Sequence, residues 1–139
     1  MKITEAETEI RKIVEWYRNL PNDFLGLNDL LHQRQKLVGY NVTLGSELGY
    51  QRKLYSLSKA VYEKKRYQLQ VKFKSEGVGN SETISRANSS KEYTNQQESE
   101  GEYYRLLYFS KSIEQTLSSM SQQIAVLREE LNSIKYRGG

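Results

Sequence analysis

The chain of 139 residues contains no cysteine, one histidine and one proline, and nowhere do 18 apolar residues run together. Without cysteine there is no disulfide and no thiolate metal site, and His32 alone offers little to a zinc site or to general-base chemistry. This usage suits a reducing compartment, and the expected localisation is cytoplasmic. The missing apolar run argues against a membrane-spanning helix. The opening stretch "MKITEAETEIRKIVEW" is amphipathic and acidic and does not read as a signal peptide. The apolar fraction is low at 37% while the charged fraction is an ordinary 27%, which points to elongated elements with much exposed surface. The expectation is an all-α chain of long amphipathic helices, one domain overall, and not a compact α/β globule.

The net charge of +4 hides a strong unevenness. Residues 1–49 hold six basic and seven acidic side chains. Residues 50–75 hold Arg52, Lys53, Lys59, Lys64, Lys65, Arg66, Lys72 and Lys74 against Glu63 alone. Residues 76–102 are acidic, with two bases and six acids. Such blocks say more about partners than the total does.

Along the chain, Ile3, Ala6, Ile10, Ile13, Tyr17 and Leu20 recur at spacings of three and four, which predicts a first helix. Thr4 and Glu7 offer a capping box at its start, and Pro21 marks its end. A second, long helix is expected from Leu27 through Leu30, Arg34, Leu37, Asn41, Leu44 and Leu48, its stripe then drifting to Leu54, Leu57 and Val61. Gly39, Gly45 and Gly49 either kink this helix or let another backbone approach closely. Tyr67, Leu69, Val71 and Phe73 alternate with polar residues as a strand would, but no partner strand is evident. The helix is therefore extended to about Lys74, ending at Gly77. Residues 76–102 read as a polar, acidic connector, with short helical stretches over 82–88 or 91–97 at most. From Tyr103, an unbroken 4–3 pattern through Leu106, Ser110, Ile113, Leu117, Met120, Ile124, Leu127, Leu131 and Ile134 predicts a coiled-coil-like oligomerisation helix over 103–139. With Tyr103 at a, Glu130 at g and Lys135 at e can pair across helices. A stripe of that length, left bare, would be too large an apolar patch for a monomer, so a charge at Leu117 or Ile124 is expected to break an assembly.

No catalytic constellation is present. "GVGNSE" lacks the G-x-x-x-x-G-K-[ST] spacing of a phosphate loop and reads as a turn. The expectation is a non-enzymatic protein without cofactor or metal. The candidate site is the basic block, where Lys and Arg can neutralise phosphates while Tyr50, Tyr55, Tyr62 and Tyr67 stack on unpaired bases. Its candidate residues are Arg52, Lys53, Lys59, Lys64, Lys65, Arg66, Tyr67, Lys72 and Lys74. The alternatives are a basic face that only aids solubility or pairs with the acidic segment, with the tyrosines in the core, or one that binds an acidic protein in a structural adaptor, scaffold or chaperone.

The layout of "EKKRYQLQVKFKSEG", the following "ETISRANSSKEY" and the aromatic-led "EYYRLLYFSKSIEQTLSSM" resembles the phage recombination mediators of the UvsY type over nearly the whole chain. The resemblance implies an all-helical homo-oligomer, a ring of about seven copies, acting in the host cytoplasm. It further implies binding of single-stranded DNA and loading of a RecA-like recombinase onto DNA covered by single-strand binding protein. Lys64, Lys65, Arg66, Lys72 and Lys74 correspond as a region to the family's basic DNA-contacting stretch.

Overall fold

The structure, a computed structural model, describes residues 2–74 and 77–137, and the side chains of these except 78–81 and 135–137. The chain is all-α. Its helices are α1 (Ile3–Arg18), α2 (Leu27–Lys72), α3 (Val78–Asn88) and α4 (Ser90–Arg137), with no strand among the described residues. None of these helices is long and apolar enough to cross a membrane. Two compact units divide the chain, and α2 and α4 each contribute to both. The first comprises Met1–Glu47 with Tyr108–Gly139, and the second Leu48–Leu107.

The first unit is built as the apolar spacing requires. Ala6, Ile10 and Ile13 of α1, Leu30, Leu37 and Leu44 of α2, and Ile113, Met120, Ile124 and Leu127 of α4 are buried. Burying a leucine- or isoleucine-sized side chain contributes about 1.5–3 kcal/mol, so these stripes dominate the unit's stability. Two bonds between helices fix their register: Tyr17 Oη and Ser119 Oγ lie 2.9 Å apart, and Arg34 Nε donates to Ser121 Oγ at 3.0 Å. Helix α1 ends at Arg18, before Pro21, and Trp16 meets Phe24 edge-on beyond it, at 5.9 Å between centroids. The capping box does not form. Lys2 occupies the cap position without a side-chain bond, Thr4 lies inside the helix, and Glu7 is buried with Arg11 3.8 Å away.

The second unit departs most from the pattern in the sequence. The inner face of α2 does not drift to Leu57 and Val61, which are exposed. It keeps its seven-residue register through Leu48, Tyr55, Tyr62 and Leu69, all half-buried. Tyrosine replaces leucine on the inside, so following aliphatic residues leads onto the wrong face. The proposed connector over 76–102 is helical where it is described, apart from Gly77 and Ser89. Helix α3 occupies 78–88, and α4 begins at Ser90, thirteen residues before Tyr103. The "GVGNSE" stretch is accordingly the entry to α3 and not a free turn. Gly77, at φ +88°, occupies the cap of α3, a backbone conformation that glycine adopts without Cβ strain. Small residues let α3 pack closely: Ser85 and Ser89 are fully buried, and Ser89 Oγ donates to the Ser85 carbonyl. Residues 67–72 are helix, as the extension of α2 expected.

At Gly39, Gly45 and Gly49 a Cβ would meet nothing within 4 Å, so no backbone approaches them closely within the chain. Replacing each by alanine should stabilise the protein by about 0.5–1 kcal/mol, read from chemical denaturation midpoints. A loss of stability would show that these faces are in contact with something. Leu37→Ala should cost about 2–5 kcal/mol, whereas Leu57→Ala should stay within about 0.5 kcal/mol. Equal losses in the same denaturation experiment would contradict the inside and outside assigned here.

Candidate nucleic-acid interface

The basic block lies on α2 and its C-terminal extension, in the second unit. Arg52, Lys53, Lys59, Lys64, Lys72 and Lys74 are exposed, and Lys65 and Arg66 are half-buried. Helical spacing sorts the cations into rows. Arg52, Lys59 and Arg66 follow one another at seven residues, as do Lys65 and Lys72, and Lys53 and Lys64 share a third face at eleven. Tyr67, one turn beyond Lys64, is 68% exposed, so its ring is available to stack.

The four tyrosines separate into two kinds. Tyr55 stacks on Tyr103 with centroids 5.8 Å apart, and Tyr62 meets Tyr93 at 5.3 Å. These two hold α2 against α4 within the unit. Tyr50 and Tyr67 face outward.

Pairing with the acidic segment would neutralise the block, but among the described residues no such pair forms. Ion pairs join Arg11 with Glu7, Lys12 with Glu9, and Arg105 with Glu102. None involves a cation of residues 52–74. In the acidic segment Glu102 pairs locally. Arg105 binds Glu102 with two nitrogens, at 2.7 and 3.0 Å, and these hydrogen bonds hold the Glu102 carboxyl below the usual carboxylate range despite partial burial.

Three cavities border this chemistry or compete with it. The largest, about 490 Å³, lies in the first unit and includes Arg11, Arg18 and Phe109, but Glu15 shares it and Arg11 already sits 5.4 Å over the Phe109 ring. A second, about 350 Å³, lies in the second unit among Tyr62, Arg66, Arg86, Ser90 and Tyr93. A third, about 310 Å³, is an open groove with Leu54, Leu57 and Val61 on one side and Glu92, Asn95 and Ser99 on the other. Sequence reasoning missed Arg86 and Tyr93, because both sit in the segment read as a connector. The heptad step back from Tyr103 to Gln96 could have extended the last helix toward Tyr93, whereas no spacing signal points to Arg86. His32 is exposed on α2, and no three metal-ligating side chains converge among the described residues.

The stripe assigned to oligomerisation is largely consumed inside the chain. Leu106, Ile113, Met120, Ile124 and Leu127 are buried and Leu117 is half-buried, while Leu131 and Ile134 remain exposed. The stripe is therefore bare only at Leu131 and Ile134, and a charge at Leu117 or Ile124 would strike the core of the first unit before reporting on association. The side chain of Lys135, paired with Glu130 in the heptad reading, lies outside the described residues. Comparison of the chain with protein-family models, curated proteins and solved structures finds no match to any of the three.

Proposed function

We propose that the chain is a non-enzymatic protein that binds single-stranded DNA along the basic block of α2 and, as the UvsY-type resemblance implies, mediates recombination by helping a RecA-like recombinase onto strands covered by single-strand binding protein. The observation that carries the binding is the set of eight cations over residues 52–74 with no carboxylate partner among the described residues. Like charges this dense repel one another along a helix. Phosphates relieve that repulsion and release counterions on binding. The exposed Tyr67 beside Lys64 supplies the stacking surface that unpaired bases require.

Homo-oligomerisation belongs to the same reading, and its contacts come from what the fold leaves outside. Tyr50, Leu57 and Val61 are exposed on α2, and with Leu54 they repeat the 4–3 spacing by which a second copy's helix packs. A second reading rests on the same groove. Leu54, Leu57 and Val61 flanked by lysines would also suit an amphipathic acidic helix of another protein, which makes the chain a structural adaptor.

Binding of a labelled single strand, measured against salt, separates the two readings. Replacing Lys53, Lys59 and Lys64 together by glutamine should flatten the log–log salt slope by about 0.7 for each lost phosphate contact, about 2 in all. Lys12→Gln, in the first unit, should do much less. An unchanged slope in the triple variant, or no strand binding by the native chain, would favour the adaptor. Tyr67→Ala should weaken binding by about 1–3 kcal/mol with no change in melting temperature, and a melting change without a binding change would make that ring structural.

A further inference from the structure

The cavity between Tyr62 and Arg66 of α2, Arg86 of α3, and Ser90 and Tyr93 of α4 has a composition that a structural packing defect does not explain. Two guanidinium side chains share it, and among the described residues no carboxylate lines it. Among the described residues neither Arg66 nor Arg86 has an ion-pair partner, and Arg66 Nε is buried with no hydrogen-bond partner at all. A buried donor without an acceptor is costly, and two like charges facing one space add to that cost. Both costs vanish when an anion with several acceptor oxygens enters. The hydroxyl of Ser90, the first residue of α4, adds a further donor at the same wall.

The other wall is aromatic. Tyr62 and Tyr93 lie 5.3 Å apart at an interplanar angle of 55°, so their rings present two inclined faces to the space. Arginine forks match phosphate oxygens in pairs, and aromatic faces accept a sugar or a base. A volume of about 350 Å³ is of the size of small-ligand pockets and suits one nucleotide.

We infer that this cavity is a subsite for a single phosphorylated nucleoside, with Arg66 and Arg86 gripping the phosphate and Tyr62 and Tyr93 packing against the nucleoside. The inference rests on the single-strand reading in one respect: the nucleotide is taken to be a unit of the bound strand, though a free mononucleotide carries the same chemistry. On this view the exposed rows of α2 gather the strand by charge alone. The cavity then supplies a contact that depends on hydrogen-bond geometry.

Salt distinguishes the two kinds of contact, because counterion release contributes nothing to affinity near ~1 M salt while a forked hydrogen bond persists. The decisive substitution is Arg86→Lys, which keeps the charge and loses the fork. Arg86 is exposed, so the variant should fold, and its melting temperature checks this. Anisotropy of labelled oligothymidylate at ~1 M NaCl should show about tenfold weaker binding for Arg86→Lys and for Arg86→Gln, with Lys91→Gln, outside the cavity, like the native chain. Calorimetry with thymidine 5′-monophosphate and with thymidine as free ligands forms the second arm. The phosphorylated form should bind and the nucleoside should not, and Arg86→Lys should abolish the difference. Native affinity of Arg86→Lys for the strand at high salt, together with no preference for the monophosphate, overturns the subsite. Should the native chain bind no strand at any salt, the single-strand reading falls, and the monophosphate arm alone decides: phosphate-dependent binding lost in Arg86→Lys upholds the subsite, and its absence overturns it.

Discussion

Each unit depends on a seam between the inner faces of α2 and α4, and what fills that seam differs between the two. In the first unit the seam is aliphatic, and with the stripe of α1 it forms a dense core around Leu37, Leu44, Ile113 and Met120. In the second unit Leu106 is fully buried, but Tyr55, Tyr62, Gln96 and Tyr103 lie half-buried along the seam, with the partly exposed Tyr93 against Tyr62. Gln96 Oε1 and Arg66 Nε are buried there without partners among the described residues. A polar, aromatic interior stabilises less per residue than an aliphatic one, because its groups must be satisfied as well as buried. Stability is thus concentrated in the first unit. Polar chemistry is concentrated in the second.

That division explains where the charge can be tolerated. Eight cations within residues 52–74 oppose one another, and among the described residues none is paired with an acidic side chain of the unit. Instead Arg105 and Glu102 pair with each other along α4. Surface ion pairs contribute little to stability, so their absence costs the fold little, but it leaves the full positive potential of α2 available for binding. The tyrosines follow the same logic: the inward pair closes the unit and Tyr67 stays outside among the lysines.

The all-helical fold was legible because period-3.6 spacing in α1, the first half of α2 and the second half of α4 is written in aliphatic residues. Two features were not. The inner face of α2 beyond Leu48 carries tyrosines while aliphatics such as Leu57 and Val61 lie outside, so hydrophobicity and burial part company there. The start of α4 is built from Gln96, Ser99 and Glu100, polar residues that are half-buried all the same, and composition alone marks them as linker. The cations of the candidate site were visible as a charge block. Arg86 and Tyr93 were not, because they come from α3 and α4 and meet α2 only in three dimensions. The heptads of α4 were correctly seen as an apolar stripe, but spacing does not say whose core a stripe enters, and here most of it enters its own.

If the second unit is a surface for single-stranded nucleic acid, as proposed, hydrogen exchange of the full chain with and without an oligothymidylate will register it segment by segment. Ligand binding slows the local opening of the segments it contacts. Slower exchange is expected over residues 52–74 and 82–93, with α1 and residues 113–127 unchanged. Protection confined to the first unit, or no protection at saturating oligonucleotide, would contradict it.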